Sequence, residues 1–173
     1  VVIGIRKFHY VWEFLLKNIF HDVDLKINSL LPIRQYQFSD PLKPIQNSSQ
    51  KGMRLDVFIK SKNSCWVIDS KYYTATGAHD APGWSDLVKQ FFYVKAVRLI
   101  YPELEMVKNI FIFPGITNPL SNIQMVYREE SKDEDKLEKL TEDFIPIECL
   151  YLDPNDVMKK YLKSKKVYIT DYI

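Results

Sequence analysis

The sequence predicts one α/β domain built on a mixed β-sheet. With 173 residues and 46% hydrophobic content, the chain is long and apolar enough for a single core. Two strand candidates joined by a short polar turn indicate a β-hairpin. The second of these strands is followed by a long helix and a buried strand, an order typical of a parallel crossover. Antiparallel and parallel pairs in one sheet make it mixed.

The N-terminal third predicts a helix, a strand and a long loop. The helix over Lys7–Phe20 has one apolar stripe, formed by Phe8, Val11, Trp12, Leu15 and Ile19. Glu13 stands four residues before Lys17, and an ion pair at that spacing contributes about 0.3–0.5 kcal/mol. Arg34–Phe38 alternates as a strand does, and Ser39–Gly52, rich in Pro, Ser and Asn, is typical of a loop.

The middle of the chain predicts the hairpin and the crossover helix. Its strands are apolar, a loop of small residues separates them from the helix, and a serine stands where a helix cap belongs. The segments are, in order, the strands Arg54–Lys60 and Ser64–Tyr72, the loop Thr74–Gly83, and a helix capped by Ser85 that runs to about Tyr101.

The C-terminal part predicts three more strands and a last helix. Asn109–Pro114 (NIFIFP) is apolar throughout, which indicates a strand buried on both faces. Between the other two strands lies a charged segment that we interpret as a solvated surface insertion. The remaining segments are the strand Ile123–Arg128, the insertion Glu129–Asp143, the strand Ile145–Leu152, and a helix capped by Asp153 with Pro154 at its first position, ending near Lys163.

Composition excludes several classes of protein. The net charge of +2 does not by itself indicate nucleic-acid binding, although a locally basic surface stays open. Cys65 and Cys149 are far apart in apolar segments, and the chain has three histidines, so we predict buried free thiols rather than a disulfide framework or a zinc site. We see no signal peptide and no membrane-spanning run, and we expect a cytoplasmic location.

The hairpin turn predicts which charged residues share a face. A turn centred on Lys62 and Asn63 makes the cross-strand partners Lys60 with Cys65, Phe58 with Val67, and Asp56 with Asp69. Lys71 lies two residues beyond Asp69 and therefore points to the same face. The opposite face is expected to be the core surface, with Leu55, Val57, Ile59, Trp66 and Ile68.

Two facing carboxylates in a partly buried place repel each other, so something must offset their charge. One carboxyl can stay protonated, Lys71 can neutralise it, or a divalent cation can bridge Asp56 and Asp69. Hard oxygen ligands favour Mg²⁺ or Mn²⁺. The alternative is a structural Asp–Lys pair at a strand end. A register slip of one residue would place Asp56 on the other face.

Asp56 followed by Asp69-Ser70-Lys71 at the end of an apolar strand resembles the motif of the PD-(D/E)XK nuclease superfamily. The first element here is Arg54-Leu55-Asp56, without the usual proline before the aspartate. The resemblance implies a restriction-endonuclease-like core. It also implies that Asp56 and Asp69 bind the metal, while Lys71 orients the attacking water or stabilises charge at the phosphate.

Two further segments resemble the LlaJI-type and McrC-type restriction nucleases. The helix FHYVWE, from Phe8 to Glu13, is similar to an N-terminal helix whose glutamate approaches the metal. The segment DLVKQFFY, from Asp86 to Tyr93, resembles a helix whose glutamine, here Gln90, positions the lysine, water or the backbone. The other interpretation of Gln90 is a polar residue on an exposed helix edge. The resemblance extends from Phe8 to Pro114.

The resemblance implies a Mg²⁺-dependent endodeoxyribonuclease of type II or McrBC-like restriction systems, in which Mn²⁺ can substitute. We expect residues 1–173 to be one nuclease domain, the catalytic fragment of a longer protein, since the chain begins without methionine. The implied partner is double-stranded DNA, together with a separate recognition domain or a GTP-dependent motor subunit, and a homodimer for double-strand cleavage. No phosphate-binding GxxxxGK[ST] loop occurs, so nucleotide hydrolysis would belong to another chain.

Three residues are weaker candidates for DNA contacts. Tyr72 and Tyr73 suit stacking or phosphate contacts, but half-buried strand tyrosines have the same pattern. Lys89, with Lys95 and Arg98, suits a basic rim or an ordinary solubilising helix surface. Two other functions remain open: a non-catalytic DNA-binding or assembly module, and a small-molecule hydrolase that uses Asp56 and Asp69 as acid and base.

Overall fold

A five-stranded mixed β-sheet lies between helices in the computed structural model, which describes residues 8–48, 52–127 and 139–173. The helices are α1 (Phe8–Ile19), α2 (Ile27–Leu30), α3 (Trp84–Ile100) and α4 (Pro154–Leu162), with a short 3₁₀ helix at Ile169–Asp171. The strands are β1 (Arg34–Tyr36), β2 (Gln46–Ser48), β3 (Val57–Lys60), β4 (Ser64–Ser70), β5 (Met106–Pro114), β6 (Asn122–Ile123) and β7 (Ile147–Leu152).

The central sheet has the order β3-β4-β5-β7-β6. Strands β4, β5 and β7 are parallel, and the edge strands β3 and β6 pair antiparallel with their neighbours. The chain passes from β4 through α3 to β5, which is the predicted crossover. The predicted α/β class with a mixed sheet is therefore confirmed, and the arrangement is consistent with a restriction-endonuclease-like core.

The hairpin register is the predicted one. Lys60 pairs with Cys65, and Val57, the first residue of the ladder, pairs with Ile68. Asp56 directly precedes β3, at the position that continues this register toward Asp69. The polar turn and the apolar alternation of both strands favour the same pairing, which explains why the prediction holds.

Both faces of the sheet are buried, whereas the hairpin alone predicted one core surface. The face toward α1 and α4 carries Val57, Ile59, Trp66, Ile68, Ile110 and Ile112. Phe58, Cys65 and Val67 form a second apolar cluster with Val94 and Val97 of α3. Leu55 belongs to this second cluster. Its expected place beside Val57 was wrong because Leu55 precedes the ladder, where strand alternation no longer applies.

Several predicted boundaries were wrong because tertiary pairing decided them. The loop predicted over Ser39–Gly52 contains β2, which pairs with β1. Among the described residues 123–127 of the strand predicted over Ile123–Arg128, only Ile123 belongs to β6; Val126 forms an isolated bridge with Lys139. Most of the predicted insertion, residues 129–138, lies outside the described residues.

The helix ends differ in how they are capped. Asp153 caps α4 as predicted, accepting a hydrogen bond from the backbone N–H of Asn155. Helix α3 instead begins at Trp84 with Gly83 as its N-cap, so Ser85 is not the cap. Cys65 and Cys149 are buried free thiols as predicted, and burial raises the pKa of each to about 12. In the described part of the chain, we find no helix with the length and apolarity needed to cross a membrane.

Candidate active site

The predicted site residues meet where β4 ends. Asp69 is the penultimate residue of β4, and Lys71 follows the strand directly. The backbone N–H of Lys71 donates to the carbonyl of Ile112 at 2.9 Å, which continues the pairing with the parallel neighbour β5. The carboxyl ends of parallel strands are the usual place for a site in an α/β sheet, because the following connections diverge there.

Asp69 and Lys71 form a buried ion pair on the α3 side of the sheet. They are 3% and 7% exposed, and the Lys71 Nζ lies 2.8 Å from the Asp69 Oδ2. The same ammonium lies 2.5 Å from Oδ1 of Asp86, in the first turn of α3, and 4.9 Å from the ring centre of Phe111. Lys71 is therefore held by two carboxylates and one aromatic ring, in a position that is largely shielded from solvent.

The other oxygen of Asp69 also faces an ammonium group. The Lys89 Nζ lies 2.7 Å from the Asp69 Oδ1. Burial favours the neutral form of Lys89, but attraction to Asp69 and the hydrogen bond with it outweigh that effect, so the pKa of Lys89 is raised above its ordinary value. Asp86 and Lys89 stand three residues apart on α3, so both reach the site from one helix face.

The pKa of Asp56 is raised above its ordinary value. Burial is the largest cause that raises the pKa of Asp56, followed by the negative charge of Asp69. Two hydrogen bonds from Ser70, from its backbone N–H and its hydroxyl, both at 2.8 Å, reach the Asp56 Oδ2 and act in the opposite direction. The charge of Glu13 raises the pKa further.

Glu13 is brought to this edge by α1. Its Oε1 pairs with Lys17, as the sequence spacing predicts, and also lies 3.1 Å from Nη2 of Arg54. The structural interpretation of Glu13 as half of an ion pair with Lys17 is therefore confirmed. A metal-binding role for Glu13 remains a prediction.

The donor set suits a hard divalent cation. The candidate ligands Asp56, Asp69 and Glu13 supply oxygen atoms only. Burial, and then the negative charge of Asp69, raise the pKa of Asp56, and a bound cation would oppose both effects. Within residues 8–48, 52–127 and 139–173, no three Asp, Glu, His or Cys side chains are gathered closely enough to hold a metal ion. Asp69 and Glu13 are not gathered because each pairs with basic side chains instead. Asp69 contacts two lysines, and Glu13 contacts a lysine and an arginine.

Gln90 lies inside the domain, between α3 and the sheet. It is 0% exposed, so the interpretation as an exposed helix edge is wrong. Its Nε2 donates to the carbonyl of Val67 at 3.0 Å and to Oδ1 of Asn109 at 2.7 Å, with the Ile110 carbonyl at 3.4 Å. These hydrogen bonds position the backbone of β4 and β5 against α3, one turn from Asp86; within the described residues none of them reaches Lys71.

We expect Gln90 and Asn109 to act as one unit that fixes α3 on the sheet. Gln90→Leu and Asn109→Leu should each lower the free energy of unfolding by about 1–3 kcal/mol, because each leaves buried polar groups without a partner. The double variant should lose less free energy of unfolding than the two single variants lose together, since the hydrogen bond between Gln90 and Asn109 is lost only once. Urea unfolding of the four proteins measures this coupling, and strictly additive costs would contradict it.

The two tyrosines after Lys71 lie beyond the end of β4 and are exposed, so the interpretation as half-buried strand residues is wrong. The Tyr72 ring lies 4.6 Å from that of Phe8, and the Tyr73 ring meets Phe113 edge-on at 5.8 Å. Burial, and then the charge of Asp86, raise the pKa of Tyr73 to about 12. Both tyrosines keep 39% of their surface exposed, so the predicted DNA contact remains a prediction.

Sequence reasoning missed Asp86, Arg54 and Ser70 as neighbours of the candidate site. Asp86 enters the sequence-based predictions only as the first residue of the segment that resembles the glutamine-bearing helix. Its spacing of three residues from Lys89 was the available signal, because it predicts a shared helix face. No local pattern marks Arg54 or Ser70, whose partners are 41 and 14 residues away.

The chain is similar to known restriction enzymes. Over 171 residues the chain is 26% identical to a protein of Bacillus subtilis (strain 168) named "Type II restriction enzyme BsuMI component YdjA". The match covers 94% of this chain and 34% of that protein, so the chain spans about a third of the length of the curated relative it matches. The family model described as LlaJI restriction endonuclease matches residues 1–140, which is most of the chain. This protein therefore belongs to the LlaJI restriction endonuclease family.

Proposed function

We propose that this chain is a Mg²⁺-dependent nuclease domain of the PD-(D/E)XK type, which hydrolyses phosphodiester bonds of double-stranded DNA in a restriction system. The observation that carries the proposal is the buried Asp69–Lys71 pair at the end of β4, beside the destabilised carboxyl of Asp56. Burying an ammonium group costs desolvation free energy, so a buried lysine paired with Asp69 and Asp86 at a strand end favours a functional role. Membership of the LlaJI family supports cleavage of DNA.

Different residues of the chain would bind the cation, stabilise the developing charge and position the site. Asp56 and Asp69, with Glu13, would hold the cation, whose chemistry is to activate water and to neutralise phosphate oxygens. Lys71 would place its ammonium where negative charge develops on the phosphate, and Asp86 would keep that ammonium aimed. Gln90 would keep α3 seated on the sheet, so that these groups hold their positions.

We also propose that recognition of the DNA sequence comes from another region or subunit. The B. subtilis relative is named as a component, and this chain matches 34% of it. Double-strand cleavage would then need a second nuclease domain, and a GTP-dependent motor remains a candidate partner for a McrBC-like arrangement. Electrophoresis of nicked and linear plasmid products would separate single-strand from double-strand cutting.

A non-catalytic DNA-binding module is the second candidate. The observation in its favour is that both Asp69 oxygens face lysines in the structure. Such an arrangement can serve stability alone, with no cation.

Calorimetric titration with Mn²⁺ separates the two functions. We expect wild-type protein to bind Mn²⁺ and Asp69→Asn to lose that binding, because the amide cannot neutralise a divalent charge. Asp156→Asn is the matched control, since it removes an exposed carboxylate of α4 that pairs with Lys160. Binding that persists in Asp69→Asn, or that is missing in wild type, would favour the non-catalytic module.

A further inference from the structure

Lys89 contacts one of the two carboxylate oxygens of Asp69, the candidate cation ligand. The Asp69 carboxylate has two oxygens: Oδ2 contacts Lys71 and Oδ1 contacts Lys89 at 2.7 Å. An ammonium and a divalent cation cannot share Oδ1 at contact distance, because both positive charges would then lie within a few ångströms of each other. A cation that binds through this oxygen must therefore displace Lys89.

The two lysines differ in how easily they can leave. Lys71 is 7% exposed and is held by Asp86 and Phe111 as well as by Asp69. The Lys89 side chain is 43% exposed, and Asp69 is the one carboxylate that pairs with it among the described residues. Beyond Asp69, its ammonium has a weak contact with the Tyr93 ring, at 5.8 Å. Lys89 therefore has fewer contacts to lose than Lys71 when it moves into solvent.

We propose that Lys89 is a built-in counter-ion for Asp69, which a divalent cation displaces when it binds. The inference rests on the proposed function, because it assumes that Asp69 is a cation ligand. In the absence of the cation, Lys89 keeps the buried carboxylate paired and the site assembled. When the cation arrives, the ammonium moves to the exposed rim of α3, from which it can meet a DNA phosphate.

Displacement of Lys89 would affect the affinity of the site for the cation, whether or not DNA is cleaved. The free energy of the Lys89–Asp69 contact is lost when the cation binds, so the contact weakens the apparent affinity for the cation. Removing the ammonium should therefore tighten cation binding. An ordinary supporting residue would have the opposite effect, because its loss would loosen the site.

Calorimetric titration with Mn²⁺ of the whole chain, without DNA, tests the inference. Lys89→Met keeps the aliphatic length without the charge, and we expect its Kd for Mn²⁺ to fall about tenfold below that of wild type. Lys89→Gln, which keeps a polar end, should change the Kd in the same direction. The control is Lys95→Met, an exposed lysine on the same helix that lines a surface groove away from Asp69, whose Kd should stay within about twofold of wild type.

The outcomes are separable. Tighter binding by both Lys89 variants, with an unchanged control, supports the inference. If the folded Lys89 variants bind Mn²⁺ as tightly as wild type or more weakly, and Asp69→Asn abolishes binding, Lys89 is not a displaced counter-ion. The proposed metal site is then still supported. If wild type and both Lys89 variants all fail to bind Mn²⁺, the metal site of the proposed function fails and the inference falls with it. Circular dichroism melting confirms that each variant is folded.

Discussion

Replacing Asp56 with asparagine is expected to abolish DNA cleavage and, at the same time, to raise the stability of the protein. The carboxylate is partly buried beside two other negative charges, and its raised pKa shows that the fold opposes its ionisation. An asparagine oxygen can still accept both hydrogen bonds from Ser70, while the charge disappears. We expect a gain of about 1 kcal/mol, or about 2–4 °C in the melting temperature in the absence of added metal.

The same change should lower Mg²⁺-dependent cleavage about a thousandfold, since a cation ligand contributes several kcal/mol of transition-state stabilisation. Thermal melting tests the expected gain in stability of Asp56→Asn, and plasmid cleavage by the same preparation tests the expected loss of activity. Asp156→Asn is the control, because its carboxylate is exposed on α4 and should affect neither quantity strongly. A less stable Asp56→Asn would mean that Asp56 serves the fold, and normal cleavage would remove it from the site.

Replacing Lys71 with methionine is expected to lose both activity and stability. The change leaves Asp86 without its ammonium partner and Asp69 with Lys89 alone. Removing one partner of a buried ion pair leaves an uncompensated charge, which here should cost about 3 kcal/mol. Cleavage should fall about 10²–10³-fold, because a positive charge aimed at the developing charge is removed.

Urea unfolding and plasmid cleavage with Mg²⁺ measure these effects. The matched control is Lys108→Met, since the pair of Lys108 with Glu148 is about one third exposed on each side. A partly exposed pair contributes less than about 1 kcal/mol, and this one joins β5 to β7 away from the site. If Lys71→Met cuts DNA as well as wild type, Lys71 has no part in the mechanism.

The opposite signs of the two stability changes carry information of their own. A purely structural Asp–Lys cluster loses stability whichever charge is removed. A site that keeps Asp56 charged against the preference of the fold gains stability when that charge is removed. The combination of a stabilising Asp56→Asn and a destabilising Lys71→Met is therefore expected of an active site and not of a structural ion pair.

The sequence by itself determined the local geometry of the hairpin. A polar turn of fixed length pairs Lys60 with Cys65, and strand alternation then places Asp69 and Lys71 on one face. The crossover after β4 also follows from the order of strand, helix and buried strand. The hairpin depends on one short turn and the crossover on the order of consecutive elements, and both can be recognised in the sequence.

Only the tertiary structure decided which helix residues complete the site. Asp86 and Lys89 reach Lys71 and Asp69 because α3 packs on the sheet at one rotation, held there by the buried amide of Gln90. No sequence period specifies that rotation, since α3 is apolar on more than one side, with Phe92 exposed and Val94 buried. The physical reason is that a helix with two apolar faces can pack in several ways, and the choice among them is made by contacts between residues distant in the chain.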